Sequence, residues 1–342
     1  SDGSINDISS AVDSKDNLIC LAYFFSDPPT YPQVELCSTM FSPGNIDFPV
    51  VSLMYKLDKS GNCIWSHQLS TLNGAPENLL SLKIDHEDNY YFVSSFSGII
   101  TLAPGVFIDS GSPQQTHIVV SKFNKEDKLL WYKILKVRDP TKVSPFTWAI
   151  HIDQQDNLFI LVDHSHEPLI YDNIPILYNN INLKYNTTII KLNQNGNLVW
   201  SKPIQSPNGG VVLFNIKSDN TGNIVVIGNT YEKSIQIDQH TYFNSDQSSI
   251  PNADAVAFKL TSDGEVLWLR GYGSGQTHDY FAGLEIDFWG NIYISGVSSL
   301  LGPYKILDSL INYPNLIHPS FIAMVDSNGN RKWIKVIDLG PV

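Results

Sequence analysis

The sequence predicts an all-β protein: a five-bladed β-propeller with four antiparallel strands per blade, each blade built from one contiguous repeat. Two series of turn motifs, marching in step along the chain, lead to this reading, and a composition suited to a large apolar core supports it.

The first series joins two apolar runs through Asp, two residues, Gly or Asp, and Asn. It falls at Asp13 to Asn17, Asp85 to Asn89, Asp153 to Asn157, Asp219 to Asn223 and Asp287 to Asn291, at spacings of 72, 68, 66 and 68 residues. The second runs from a polar residue through Gly or Asp to Trp. It falls at Asp58 to Trp65, Asn124 to Trp131, Asn193 to Trp200, Thr261 to Trp268 and Asp326 to Trp333. Flanking runs such as Ile224-Val-Val-Ile and Ile292-Tyr-Ile-Ser are β-branched and aromatic, and Asp, Asn and Gly tolerate the positive φ of a tight turn, so each motif reads as a hairpin.

Two hairpins make four strands in about 68 residues, too few to bury both faces of a sheet, so neighbouring copies must stack. The expected blades span approximately 5–70, 77–137, 146–204, 210–272 and 280–338, within one domain covering 1–342. No segment sustains a 3.6-residue apolar period with caps, so no long helix is expected.

Hydrophobic residues make up 42% of the chain and charged residues 16%, enough apolar mass for a core and too few charges for a disordered chain. A formal charge of −12 without a basic run would repel a phosphate backbone, which argues against nucleic acid. No stretch approaches 18 consecutive apolar residues, so no membrane insertion is expected. Cys20, Cys37 and Cys63 are read as free, or as one pair at most, because three cysteines cannot complete a disulfide framework.

The repeats resemble the SBBP-type, NHL-like β-propeller repeats, in which a D-x-x-G-N hairpin precedes an apolar-K-x-D-x-x-G-x-x-x-W hairpin. Leu284 to Gly296 and Ala255 to Trp268 are the fullest copies, whereas Asp16, Asp88 and Asp156 replace the usual Gly. The resemblance implies a scaffold and specifies no activity.

In a four-stranded meander the two tight turns lie at one end of the repeat and the longer connections at the other. Those connections, such as His164 to Tyr185 and Tyr231 to Ala253, differ between copies, and loops on a rigid scaffold commonly carry recognition. The candidate binding face therefore comprises His164, His166, Tyr171, Tyr178, Tyr242, Tyr304 and Tyr313, with Trp148 and Tyr280 near blade junctions. Aromatic rings there would stack on sugars or fill pockets in a partner.

The five periodic Trp residues read as a packing layer. The Asp-x-x-Asp-Asn turns lack the bidentate Glu of a calcium loop, so turn chemistry is expected there and no metal. His164 and His166 would point the same way in a strand, but no further ligand motif converges on them. Asn186-Thr187-Thr188 fits a glycosylation sequon.

The expected function is a non-catalytic interaction module for a protein or glycan partner, on a cell, secreted-assembly or virion surface. A lectin-like propeller is the first alternative. A five-bladed glycoside hydrolase is the second, weakened because Glu285 is the lone mid-strand acid expected to face the centre, with His151 and Lys83 in repeat register. No phosphate loop, nucleophile elbow or paired cysteine motif appears, so no cofactor is expected.

Overall fold

The computed structural model describes residues 4–25, 33–42, 50–69, 71–72, 78–112, 114–138, 145–165, 168–176, 185–206, 208, 210–249, 251–273, 275, 278–298, 303–306, 309–312 and 320–337. Among them every regular element is a strand and the strand pairings are antiparallel, so the all-β expectation holds.

Each repeat supplies four strands that pair in chain order. Repeat one gives Ser4–Val12, Leu18–Phe25, Val50–Leu57 and Cys63–Gln68; repeat two gives Asn78–Ile84, Tyr90–Ser97, Thr116–Phe123 and Leu129–Val137. Repeat three gives Phe146–Ile152, Leu158–Ser165, Tyr185–Leu192 and Leu198–Ser206; repeat four gives Val211–Ser218, Ile224–Thr230, Asp254–Leu260 and Val266–Gly273. Asp279–Ile286, Ile292–Ser298, Ser320–Val325 and Arg331–Ile337 form the fifth.

The chain divides into two compact units, Ser1–Ile152 with Glu167–Leu177 and Gln194–Asn197, and Asp153–His166 with Tyr178–Asn193 and Leu198–Val342. Within the first unit Ile19, Leu21, Met54, Leu82, Tyr90, Phe92 and Phe123 share one core. Within the second, Val225, Ile227, Ala257, Trp268, Tyr272, Phe281, Ile294 and Phe321 share another. Residues two apart on a strand enter the same core, as the period of a pleated sheet requires.

The first turn of each repeat is held by its leading carboxylate. In repeat one Asp13 Oδ1 accepts the Lys15 and Asn17 backbone N–H groups at 2.9 Å each, and Oδ2 accepts the Asn17 side-chain amide. The same bonds recur at Asp85, Asp153, Asp219 and Asp287. Asp16, Asp88 and Asp156 hold φ of 61°, 64° and 59°, so Asp serves where the resemblance has Gly. A lysine from the third strand closes the turn: Lys56 lies 3.1 Å from Asp13, Lys122 2.9 Å from Asp85 and Lys259 2.7 Å from Asp219, all buried.

The second turn seats a tryptophan from the repeat before it. Trp131, Trp200 and Trp268 lie on Gly196, Gly264 and Gly329, and each indole N–H donates to the carbonyl two residues ahead of that glycine: Gln194 at 3.2 Å, Ser262 at 3.0 Å and Ser327 at 3.1 Å. Lys122, Lys191 and Lys259, each directly across the strand pair from its Trp, donate to the same three carbonyls. A Cβ on Gly329 would stand 2.9 Å from the Trp268 ring, so the seat excludes a side chain. The expected packing layer is thus present at these three tryptophans. Repeat five departs from it: Met324 stands opposite Trp333 in the lysine's place, and Trp333 is 39% exposed.

The connection between the second and third strands, expected as a varied loop, carries an extra hairpin in all five repeats: Val34–Leu36 with Thr39–Phe41, Ile99–Ala103 with Val106–Asp109, Leu169–Tyr171 with Ile174–Pro175, Ser234–Ile237 with His240–Phe243, and Pro303–Ile306 with Ser309–Asn312. In repeats three and five its first strand adds to the outer edge of the preceding sheet, pairing Val137 with Leu169 and Tyr272 with Ile306. A lysine on the preceding outer strand reaches the hairpin's turn carboxylate, Lys133 to Asp172 and Lys202 to Asp238, the latter at 2.8 Å. These connections act as clasps between repeats and cover otherwise bare sheet edges.

Cys37 and Cys63 form a disulfide, and Cys20 stays reduced and buried. One pair of the three cysteines is therefore realised.

Candidate functional site

Several expected surface residues turn out to be interior supports. His164 is buried in strand Leu158–Ser165, its Nε2 2.9 Å from Thr188 Oγ1, because the strand runs through a position read as a loop entry. Tyr171 is buried in a clasp hairpin, where its hydroxyl donates to the Gly196 carbonyl at 2.6 Å and burial pushes the phenol far above its usual range. Neither is on an exposed binding face. The sequon falls on strand Tyr185–Leu192, with Thr187 and Thr188 buried.

Tyr242 is half-buried and anchors its loop. Its hydroxyl donates to Asp254 Oδ2 at 2.7 Å, and its ring covers Gly271, where a Cβ would stand 2.0 Å from ring carbons. Asp254 also accepts the Ser245 N–H and hydroxyl, yet burial holds its carboxyl above the usual range. Trp148 is 41% exposed and meets Phe146 edge to face at 4.9 Å. His166, Tyr178 and Tyr313 lie outside the described residues, as does the side chain of Tyr304.

Tyr280 belongs to a cluster whose other members the sequence reading passed over. Its ring stacks on His278 at 6.0 Å, His278 lies 5.8 Å from Tyr231, and the Tyr231 and Tyr280 hydroxyls stand 3.4 Å apart. Tyr231 is 39% exposed, His278 is exposed and Tyr280 is half-buried, so one edge of the cluster meets solvent. Burial, then the Tyr231 hydroxyl beside it, pushes the Tyr280 phenol up to about 12. His278 and Tyr280 are two apart at the start of strand Asp279–Ile286, and strand alternation would have put them on one side.

The cluster stands on a rigid base. The Tyr231 N–H donates to the Gly210 carbonyl at 2.6 Å. Behind it the buried Glu232 carboxylate accepts the Ser206 hydroxyl, the Asn208 N–H and side-chain amide at 2.8 Å each, and the Gly210 N–H at 3.1 Å. Burial alone would raise the Glu232 carboxyl, but these four donors outweigh it and hold it below its usual range, so it remains an anion dedicated to tying the segment down. His278 Nδ1 accepts the Ala253 N–H at 2.9 Å, which orients the ring.

Two phenols and an imidazole, fixed with polar tips and ring faces at the surface, suit recognition by stacking and hydrogen bonding. Among the described residues no group of three or more His, Cys, Asp or Glu could hold a metal ion. Glu285, the acid considered for catalysis, is exposed and paired with Lys217 at 2.8 Å. Among the described residues no helix is long and apolar enough to cross a membrane.

No family model matches the chain, and no curated protein does. Among solved structures it is similar to a protein of unknown function from Dyadobacter fermentans, with 9% identity over 96% of this chain and 93% of that one and a TM-score of 0.40. A Synechocystis apocarotenoid oxygenase mutant gives 10% identity, 99% and 81% coverage and a TM-score of 0.38. A member of the DUF4221 family from Bacteroides vulgatus gives 9% identity, 97% and 99% coverage and a TM-score of 0.24. At these scores the similarities carry no functional argument.

Proposed function

We propose that the chain is a five-bladed β-propeller of SBBP-type, NHL-like repeats and a non-catalytic binding module that engages a protein or glycan partner through Tyr231, His278 and Tyr280. The five four-stranded meanders and the Trp-on-Gly seats support the architecture. The observation that carries the binding role is the aromatic cluster itself, exposed at one edge and locked from below by Glu232 and Ala253. Such pre-organisation reduces the entropy lost when a partner orders the site.

A protein partner is favoured over a glycan. Lectin propellers that bind one sugar per blade repeat their site, whereas the residue following the second strand is Tyr231 in repeat four and Gly98 in repeat two, and Asn78 in repeat two and Val212 in repeat four stand where repeat five has Tyr280. The Cys37–Cys63 disulfide supports placement in an oxidising compartment, as a secreted or surface location provides.

The test compares the native chain with the Tyr231→Ala, His278→Ala, Tyr280→Ala triple variant on glycan arrays and in affinity capture from the native setting. Partners lost from the variant alone, with its thermal unfolding unchanged, support the site. Partners retained equally by both proteins move recognition elsewhere.

A further inference from the structure

The extra hairpins of repeats one and four each form a two-stranded sheet by themselves among the described residues, and that of repeat one is tied down by a disulfide. The hairpins of repeats three and five pair by backbone hydrogen bonds with a neighbouring sheet. Among the described residues, Val34–Leu36 and Thr39–Phe41 form a two-stranded sheet by themselves, turning through Cys37 and Ser38 at φ of 57° and 58°. An isolated two-stranded hairpin is marginal in water and needs other support.

Two kinds of support are present. Phe41, with half-buried Val34 and Leu36, packs on Val51, Leu53, Phe24 and Tyr55, one face of the repeat-one sheet. The other support ties the hairpin to the last strand of that sheet: the Cys37–Cys63 disulfide, and a hydrogen bond from the Gln68 side-chain amide to the Ser42 carbonyl at 2.6 Å. Cys37 lies in the turn itself, so the covalent link pins the tip, the part of a hairpin that would swing furthest. The Leu53 side of the sheet is apolar and its opposite side belongs to the unit's main core, so the hairpin is the described cover of that face.

We infer that this hairpin is a redox-released cover: the Cys37–Cys63 bond keeps it closed over the Phe24, Val51, Leu53 and Tyr55 face, and reduction frees it without unfolding the sheet beneath. The chemistry balances with a small thiol as reductant. One thiolate attacks a sulfur of the bond and forms a mixed disulfide as the other cysteine leaves as thiolate. A second thiol then resolves the mixed disulfide, so two thiols become one external disulfide and Cys37 and Cys63 each gain a proton. Cys20 is buried directly opposite Tyr55 on that same covered face, so it does not distinguish release of the hairpin from opening of the sheet; the backbone of strand Val50–Leu57 does.

The experiment uses the full chain produced through an oxidising route, with and without a phosphine reductant, and the Cys37→Ser, Cys63→Ser variant. Hydrogen exchange of residues 34–41 and iodoacetamide labelling of each cysteine are read by mass spectrometry. The inference expects exchange across 34–41 to quicken at least about tenfold on reduction and in the variant, with strand Val50–Leu57 still protected. Unchanged exchange across 34–41 would overturn it by showing that apolar contacts alone hold the hairpin. Deprotection of Val50–Leu57 along with 34–41 would overturn it in the other direction, making the bond a staple of the whole repeat. Labelling of Cys37 and Cys63 without reductant would remove its premise.

Discussion

Trp268→Ala tests the joint between repeats most directly. The indole is 4% exposed, lies on Gly329 and donates to the Ser327 carbonyl at 3.1 Å. Burying roughly 200 Å² of ring surface, at about 25 cal/mol per Å², contributes about 5 kcal/mol. Losing the indole N–H leaves the carbonyl to Lys259, 3.4 Å away, which limits that part of the loss to about 1 kcal/mol. Partial collapse of the cavity offsets some of the total, so the expected cost is about 3–5 kcal/mol. Spread over a 342-residue chain melting as one unit, that lowers Tm by about 4–7 °C. The assay is urea unfolding followed by circular dichroism, with Trp333→Ala beside it. Trp333 is 39% exposed and should cost less than half as much. Equal losses at the two positions, or a loss below about 1 kcal/mol at Trp268, would refute the seat as the source of cohesion.

Three further outcomes follow from the same contacts. Asp13 is raised by burial but lowered further by Asn17, Lys56 and Lys15, to about 2; the unfolded chain therefore takes up protons first, and stability present above about pH 4 should fall as pH drops toward 2, seen as an acid-side decline in Tm. Asp127 is pushed up to about 6, chiefly by burial, so its contribution has the opposite sign, present below about pH 4 and lost as pH rises through 6. Asp127→Gly should therefore stabilise by about 1 kcal/mol at neutral pH after allowance for solvent screening, with the gain vanishing near pH 4 in paired urea titrations. Gly271→Ala should displace the Tyr242 ring and free its loop, which hydrogen exchange across residues 240–249 would report; unchanged protection would mean the ring does not lean on Gly271.

The turns were the most legible part of the chain because their chemistry is local. An aspartate collecting N–H groups two and four residues on needs nothing beyond five residues, and the Asp and Asn spacing announces it. The clasp hairpins were hidden because strands of two to five residues are too short for a period to show, though Ile235-Gln-Ile-Asp238 and Leu169-Ile-Tyr-Asp172 share an apolar-x-apolar-Asp pattern that could have revealed them. The candidate site was legible at Tyr280 but not at Tyr231, whose role depends on a contact 49 residues away. His164 and Tyr171 looked like surface chemistry because sequence does not show which side of a strand another element will cover.

The three shared acceptors, on Gln194, Ser262 and Ser327, are main-chain oxygens. Mutation at those positions changes letters the neighbouring tryptophan and lysine never read, so they are free to diverge. Adding or deleting a single residue between the carbonyl and its glycine would instead move the oxygen away from both donors at once. Copies of this unit can thus lose recognisable identity to one another and still interlock, provided the length of that turn is conserved.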